Sequence, residues 1–470
     1  MSFKFYCFLF LQLFILISAY DLDDKKKRQL ENLINKEMKL ANMHTLGIVI
    51  TNKTDTLYQN IFGESDAANT KTPFVIGSVS KSFTALATLK LNISLNNTLD
   101  KYDLGDYLDE DLLKDITVGE LLNHTSGLDS FSPKRVTQRG TYSYSNYGFA
   151  LLGKIIEKES KKNYADYIEE NIFKPLNMNN TRAKYRDSII DSYDNFLGAR
   201  CKYTSLKKEM EQKDGFYIPA GFISTSVEDM GDYLRFYLNE SNIEYISNMT
   251  VCNLEVFYNR FYGLGMMVTK RSDHIVYEHG GTTNSFRSYL SVYPDLDLGI
   301  FMVANTADIL FKQSISQFFT DINDFLAYGL YNGVDGSLSF CAHFTFDIIF
   351  FILIGIPITY LVITSVRKIK RKKYTWFENT KGKIIFGVDV FVLCILPIII
   401  LIFCYGVNGD VTDVKDLLFV VIVICIALWL NFIVKIVYII LYKKYHWEKF
   451  EISDKMEPLT KSIEIGSMKN

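Results

Sequence analysis

The chain has 470 residues, 48% of them hydrophobic, and a formal net charge of −2. That length exceeds one ordinary compact domain and that apolar share is far above a disordered chain's, so two or more structural regions are expected. The charge leaves no basic excess for a nucleic-acid surface, and the one dense basic run, Arg367 to Lys373, directly follows an apolar stretch, so nucleic acid is excluded as a partner.

Residues 1–19 combine Lys4 with an apolar core and small residues before the acidic run that begins at Asp21, the pattern of a secretory signal peptide; a retained N-terminal anchor is the alternative. Residues 20–335 then read as one α/β unit. Residues 24–42 have helical composition, residues 45–51 read as a strand, and residues 55–62 return as its hairpin partner. Helices dominate the middle. Strand signals resume at residues 262–269, 274–278, 286–293 and 298–305, and a helix over 309–326 closes the unit. Strands at both ends around a helical middle imply one antiparallel sheet with an inserted helical lobe.

Beyond this unit, residues 344–364, 384–405 and 417–441 are each apolar over about 20 residues, enough to cross a hydrocarbon core as transmembrane helices. Arg367, Lys368, Lys370, Arg371, Lys372, Lys373, Lys381 and Lys383 crowd the loop 365–383, which makes that loop cytosolic. The loop 406–416 is then non-cytosolic and the tail 442–470 cytosolic. The expected protein is therefore multi-pass, with membrane lipid as a partner and the N-terminal unit extracellular or lumenal. Asp389 and Lys435 enter the bilayer at similar depth, either as a bridge or snorkelling separately to the interface. Seven Asn-x-Ser/Thr sequons, at Asn52, Asn92, Asn96, Asn123, Asn179, Asn239 and Asn248, all precede the first apolar segment, which suits a glycoprotein. Cys7, Cys394, Cys404 and Cys425 lie in apolar segments, which leaves Cys201, Cys252 and Cys341; a Cys201–Cys252 bond and free buried thiols both fit.

Three clusters carry candidate chemistry. In Gly77-Ser78-Val-Ser-Lys81, Pro73 and Gly77 mark a turn into a helix, and a three-residue spacing puts Ser78 and Lys81 on one helix face. A lysine kept neutral by burial can take the serine proton, and backbone N–H groups at a helix start can stabilise an oxyanion. In Tyr144-Ser-Asn146, a two-residue spacing points a phenol and an amide the same way, so that a phenolate relays protons while the amide holds substrate. In His279-Gly280-Gly281-Thr282, the glycines allow close approach to the backbone, His279 can supply a hydrogen bond or partial positive charge, and the Thr282 N–H can complete an oxyanion hole with that of Ser78. Each cluster also has an ordinary reading: a helix start with a solvated lysine, a structural Tyr with a turn Asn, and a Gly-Gly hairpin turn. Ser205-Leu-Lys-Lys208 and the Tyr-x-Asn pairs at Tyr58, Tyr193 and Tyr237 show how cheaply such patterns arise.

In this order and spacing, the three clusters resemble the β-lactamase-like serine hydrolases, which include class C β-lactamases, penicillin-binding DD-peptidases and related esterases. Ile116-Thr-Val-Gly-Glu-Leu-Leu-Asn-His-Thr-Ser-Gly-Leu128, Phe173-Lys-Pro-Leu-Asn-Met178 and Pro219-Ala-Gly-Phe-Ile-Ser-Thr225 are similar to flanking segments of that family, over about residues 30–330. The resemblance implies a β-lactamase/transpeptidase-like α/β fold, with Ser78 acylated, Lys81 and Tyr144 shuttling protons, Asn146 binding a substrate amide and His279 bordering the cleft. It implies no cofactor, and no metal-ligand spacing is present. His124 and Ser126 are expected to organise the helical lobe. Where drug-binding members carry Lys-Thr-Gly, this chain has His279 and Gly280, which weakens a binding site for a substrate carboxylate.

The expectation is thus a membrane-anchored serine hydrolase acting on an extracytosolic ester, amide or peptide, its substrate a small molecule or peptide. The alternative is a non-catalytic binding or sensing ectodomain on a three-span protein. Substrate identity, oligomeric state and the particular membrane are not legible in the sequence.

Overall fold

The computed structural model describes residues 22–329, apart from short interruptions at 66, 197–198, 252–254, 272 and 309–311. The expected signal peptide, the three apolar segments, the Asp389–Lys435 pair and Cys341 lie outside the described residues, as does Cys252 of the Cys201–Cys252 pair. Among the described residues no helix is long and apolar enough to cross a membrane.

The strands in chain order are β1 (Thr45–Thr51), β2 (Thr56–Gly63), β3 (Phe74–Val75), β4 (Tyr193–Phe196), β5 (Ala199–Lys202), β6 (Ser224–Thr225), β7 (Glu255–Phe257), β8 (Arg260–Tyr262), β9 (Met267–Arg271), β10 (His274–Thr282), β11 (Arg287–Tyr293), β12 (Leu298–Ala304) and β13 (Thr306–Asp308). Eight of them form one sheet in the order β2-β1-β12-β11-β10-β9-β8-β7. Its ladders are antiparallel, and β1 joins β12 with Ile48 opposite Met302, so strands from the two ends of the domain pair directly. The expected antiparallel sheet is what forms, and the small β13-β4-β5 and β3-β6 sheets complete the strand pairing.

Alternation along the central strands explains the two cores. In β1, Leu46, Ile48 and Ile50 pack on one face with Leu30 and Ile34 of the Asp24–Leu40 helix and Phe319 and Ile322 of the Lys312–Tyr328 helix. Val49 points the other way, into a larger core with Phe301, Val303 and the helical lobe. A strand alternates its side chains between faces, and here both faces are covered, so β1 and β12 are buried throughout.

Local chemistry sets the boundaries. Asp23 caps the Asp24–Leu40 helix by accepting the Lys26 N–H at 2.6 Å, and Thr117 with Glu120 makes a capping box for Val118–Leu122. The strand expected over 262–269 is two strands, β8 and β9, because Gly265 at φ +69 turns the chain between them. Three sequon asparagines are engaged in local structure, Asn239 among them, its Oδ1 accepting the Ser241 N–H at 2.9 Å. Asn52 is buried, its Oδ1 accepting from the Thr54 and Asp55 N–H groups at 2.9 and 2.6 Å, and Asn123 Oδ1 accepts from the Thr125 hydroxyl at 2.6 Å.

Candidate active site

Ser78 sits in a short 3-10 turn, Gly77–Val79, that runs directly into the Ser80–Lys90 helix. The turn is pinned from both ends. Before it, β3 pairs with β6 and the Ile76 N–H donates to the Ile223 carbonyl at 3.0 Å; after it, the Ser80 hydroxyl accepts the Ile223 N–H at 3.1 Å. On the sheet side, Ser288 Oγ of β11 donates to the Ile76 carbonyl at 2.7 Å.

That last contact demands two glycines. Gly77 has φ +54, and a Cβ there would lie 2.4 Å from the Thr282 nitrogen. A Cβ on Gly281 would lie 2.0 Å from the Ile76 carbonyl oxygen and 2.1 Å from Ser288 Oγ. The backbone of the Ser78 turn thus lies against Gly281-Thr282 with no room for a side chain between them. These residues are not in a hairpin turn, the alternative the sequence allowed. His279 through Thr282 are the end of β10, paired with Leu290, Tyr289, Ser288 and Arg287 of β11, and the turn comes after them.

Lys81 is fully buried, and its amine makes three hydrogen bonds: to Ser78 Oγ at 3.1 Å, to Asn146 Oδ1 at 2.7 Å and to the Ala220 carbonyl at 2.5 Å. None of these partners is a carboxylate. Burial therefore pushes the amine well below the ordinary lysine range, with no charge among the described residues to oppose it. Aromatic rings complete the surroundings, with the amine 4.8 Å from the Tyr144 ring centre and 5.4 Å from that of Phe149.

Tyr144 and Asn146 enter at the start of the Asn146–Ser160 helix, which Ser145 caps by accepting the Gly148 N–H at 3.0 Å. With the Asn146 oxygen turned to Lys81, its amide nitrogen donates to Ser130 Oγ at 3.1 Å and lines the cleft. Burial raises the Tyr144 phenol above its ordinary value, against a smaller lowering by the Ser78 hydroxyl beside it. The phenolate expected from sequence is therefore disfavoured, and the residue stands as a neutral phenol.

His279 is buried; its Nδ1–H donates to the Gly280 carbonyl at 2.8 Å, which leaves Nε2 to accept from the Tyr262 hydroxyl at 3.0 Å. Burial first, and the Lys81 charge second, lower its pKa to about 4. The partial positive charge considered for this residue is thus absent at neutral pH.

Two cavities meet at Ser78, Tyr144 and Thr282. The larger, about 720 Å³, is bounded by Phe131, Asn146, Tyr217, Phe222 and Arg287. The smaller, about 450 Å³, is bounded by Tyr142, Tyr262, Met267, His279 and Tyr289. Sequence reading did not single out Ala220, Phe149, Tyr262 or Arg287 for the site. The Pro219-Ala-Gly segment was visible, yet its contribution is a backbone carbonyl, which no side-chain pattern reports.

Comparison with known proteins agrees with this geometry. A family model described as Beta-lactamase matches residues 30–312. Among curated proteins, "Protein flp" of Staphylococcus aureus (strain NCTC 8325) is 23% identical over 327 residues, 60% of this chain and 64% of its own length. "Beta-lactamase-like protein 4" of Dictyostelium discoideum is 25% identical over 276 residues, 48% of this chain and 47% of its own. The chain thus spans less than two thirds of these curated relatives. Among solved structures, an octameric penicillin-binding protein homologue from Pyrococcus abyssi superposes with a TM-score of 0.53 at 24% identity, covering 62% of this chain and 76% of that one. A D-stereospecific amidohydrolase from Streptomyces superposes at 0.51 with 20% identity, over 64% and 99% of the two chains.

Proposed function

Because the chain belongs to the beta-lactamase family, we propose that it is a membrane-anchored serine hydrolase that cleaves an extracytosolic ester, amide or peptide through an acyl-enzyme on Ser78. The single observation that carries the reading is a buried amine 3.1 Å from the Ser78 hydroxyl, with no acidic partner among the described residues. A neutral amine has two N–H groups and one lone pair. The carbonyl oxygens of Asn146 and Ala220 take the two N–H groups, so the lone pair is left for Ser78.

Lys81 then accepts the Ser78 proton as Oγ bonds to the substrate carbonyl carbon. The developing oxyanion is met by the N–H groups of Ser78 and Thr282, which the Gly77–Gly281 contact draws to one wall. Tyr144, a neutral phenol, protonates the leaving group as the scissile bond breaks, and the Lys81 ammonium restores the phenol. The rings of Tyr144 and Phe149 stabilise that transient ammonium. Water attacks the acyl carbon in the second half, the Oγ–acyl bond breaks, and the proton returns to Ser78.

Membrane anchorage rests on the apolar segments 344–364, 384–405 and 417–441, the basic loop between the first two and the leader-like residues 1–19. Both cavities beside Ser78 combine aromatic side chains with charged ones of both signs, Glu209, Lys213 and Arg287 in the larger and Arg260 and Glu278 in the smaller.

An active-site serine probe, a fluorophosphonate, applied to the full-length protein tests the reading. Labelling that Ser78→Ala abolishes is expected. Labelling that survives the substitution, or none at all in folded protein, overturns it and leaves a binding or sensing ectodomain.

A further inference from the structure

His124 lies 43 residues after Lys81 and 20 before Tyr144 and carries no role in the steps above, yet it is fully buried against the clusters they belong to. Its ring centre is 4.2 Å from that of Tyr144, 5.1 Å from Phe149 and 4.7 Å from Tyr262. Its polar contacts are unusual in where they fall. The His124 carbonyl accepts the Ser143 N–H at 2.8 Å, and the His124 Nδ1 accepts the Ser145 N–H at 3.1 Å. One residue therefore grips the backbone on both sides of Tyr144.

The backbone conformation is bent to this purpose. His124 has φ +61, a left-handed value that costs a non-glycine residue free energy and persists only where surroundings impose it. Here it turns the carbonyl toward Ser143 while the ring reaches Ser145. Since Nδ1 is an acceptor, the ring proton resides on Nε2, which is buried and has no hydrogen-bond partner among the described residues. A buried donor left unpaired is a cost that packing or solubility alone does not explain. Both features make sense if the position is selected for how it holds its neighbour.

We propose that His124 is a positioning residue that clamps Tyr144 from both flanks and sets the phenol in register with Ser78 and Lys81. The inference rests on the hydrolase reading, since it assigns a task to Tyr144 in turnover. It also revises the expectation that His124 serves only the helical lobe. Ser126, by contrast, stays local: its hydroxyl accepts the Leu128 N–H at 3.3 Å.

Two substitutions separate the clamp from folding, because both tolerate a left-handed backbone. His124→Asn keeps a side-chain acceptor within reach of the Ser145 N–H; His124→Gly keeps the carbonyl contact and removes the acceptor and the ring. The full-length protein is assayed on a small chromogenic ester, p-nitrophenyl butyrate, with kcat and KM resolved and the thermal midpoint recorded. The expected result is a kcat lowered at least tenfold in His124→Gly, with KM within about threefold of wild type and a midpoint showing the protein folded at assay temperature. His124→Asn is expected to recover most of that loss. Wild-type kcat in folded His124→Gly, or His124→Asn as slow as His124→Gly, overturns the clamp while leaving the hydrolase intact. A wild-type protein with no turnover on this ester and no probe labelling at Ser78 overturns both.

Discussion

Lys81 and Asn146, 65 residues apart in the chain, are joined by a 2.7 Å hydrogen bond from amine to amide oxygen. That bond fixes which end of the amide faces the amine, and with the Ala220 carbonyl it decides where the lysine lone pair points. The protonation state of Lys81 is thereby tied to the chemistry of its neighbours.

Replacing Asn146 with Asp tests that tie. A carboxylate in place of the amide oxygen favours the ammonium and raises the Lys81 pKa, so the base is lost at neutral pH. Asn146→Asp is expected to lower kcat by about 10²-fold or more and to move the acid limb of the pH–rate profile to higher pH. Asn146→Ala, which adds no charge, is expected to leave the limb in place. A limb that fails to move in Asn146→Asp contradicts the neutral-amine mechanism.

Lys81→Met removes the base and is expected to cost about 10³-fold in kcat. It should also change how stability responds to alkali. The folded-state pKa of Lys81 lies well below 10.5, so between the two values the unfolded chain binds a proton that the folded one does not. Stability therefore rises with pH through that window, up to the unfolded value. Unfolding midpoints from neutral to alkaline pH are expected to show this rise in wild type and to lack its Lys81 share in Lys81→Met.

His279 contributes with the same sign in acid. Its pKa falls from 6.5 in the unfolded chain to about 4 in the fold. Stability from its neutral burial is whole above pH 6.5 and is lost as pH falls toward 4, a change of about 3 kcal/mol at most. His124, also lowered by burial, adds to the loss in the same direction. His279→Asn is expected to flatten the dependence between pH 6.5 and 4 in denaturant titrations; an unchanged slope means that the imidazole is not held neutral.

Gly281→Ala places a methyl 2.0 Å from the Ile76 carbonyl oxygen, a backbone atom that cannot swing aside. It is expected to destabilise by about 2–3 kcal/mol and to open the wall shared by Ser78 and Thr282. Gly280→Ala, whose added atom comes no nearer than 3.7 Å to the Tyr289 ring, serves as the tolerant control. Thermal midpoints and serine-probe labelling rates of the two variants distinguish them.

Much of the architecture is written locally. Strand β1 covers the seven residues its apolar run outlines, and the hairpin to β2 follows from the polar turn that Asn52 organises. The closing helix and the late strands were likewise legible from periodicity, because each element buries its own face. The division of residues 262–269 into two strands was not, since a single glycine turn interrupts an otherwise continuous apolar pattern.

For the site, the sequence by itself determined the reactive pairs that sit close along the chain: Ser78 with Lys81 on one turn of helix, Tyr144 with Asn146 at a helix start, and the small residues after His279. Only the tertiary structure decided their electrical states and their bearings. Whether Lys81 is charged, whether Tyr144 is phenol or phenolate, and whether His279 carries a proton depend on what surrounds them across gaps such as the 139 residues between Lys81 and Ala220. Burial and the absence of a facing carboxylate are properties of packing, and packing is where a base buried beside a serine becomes distinct from a lysine in water.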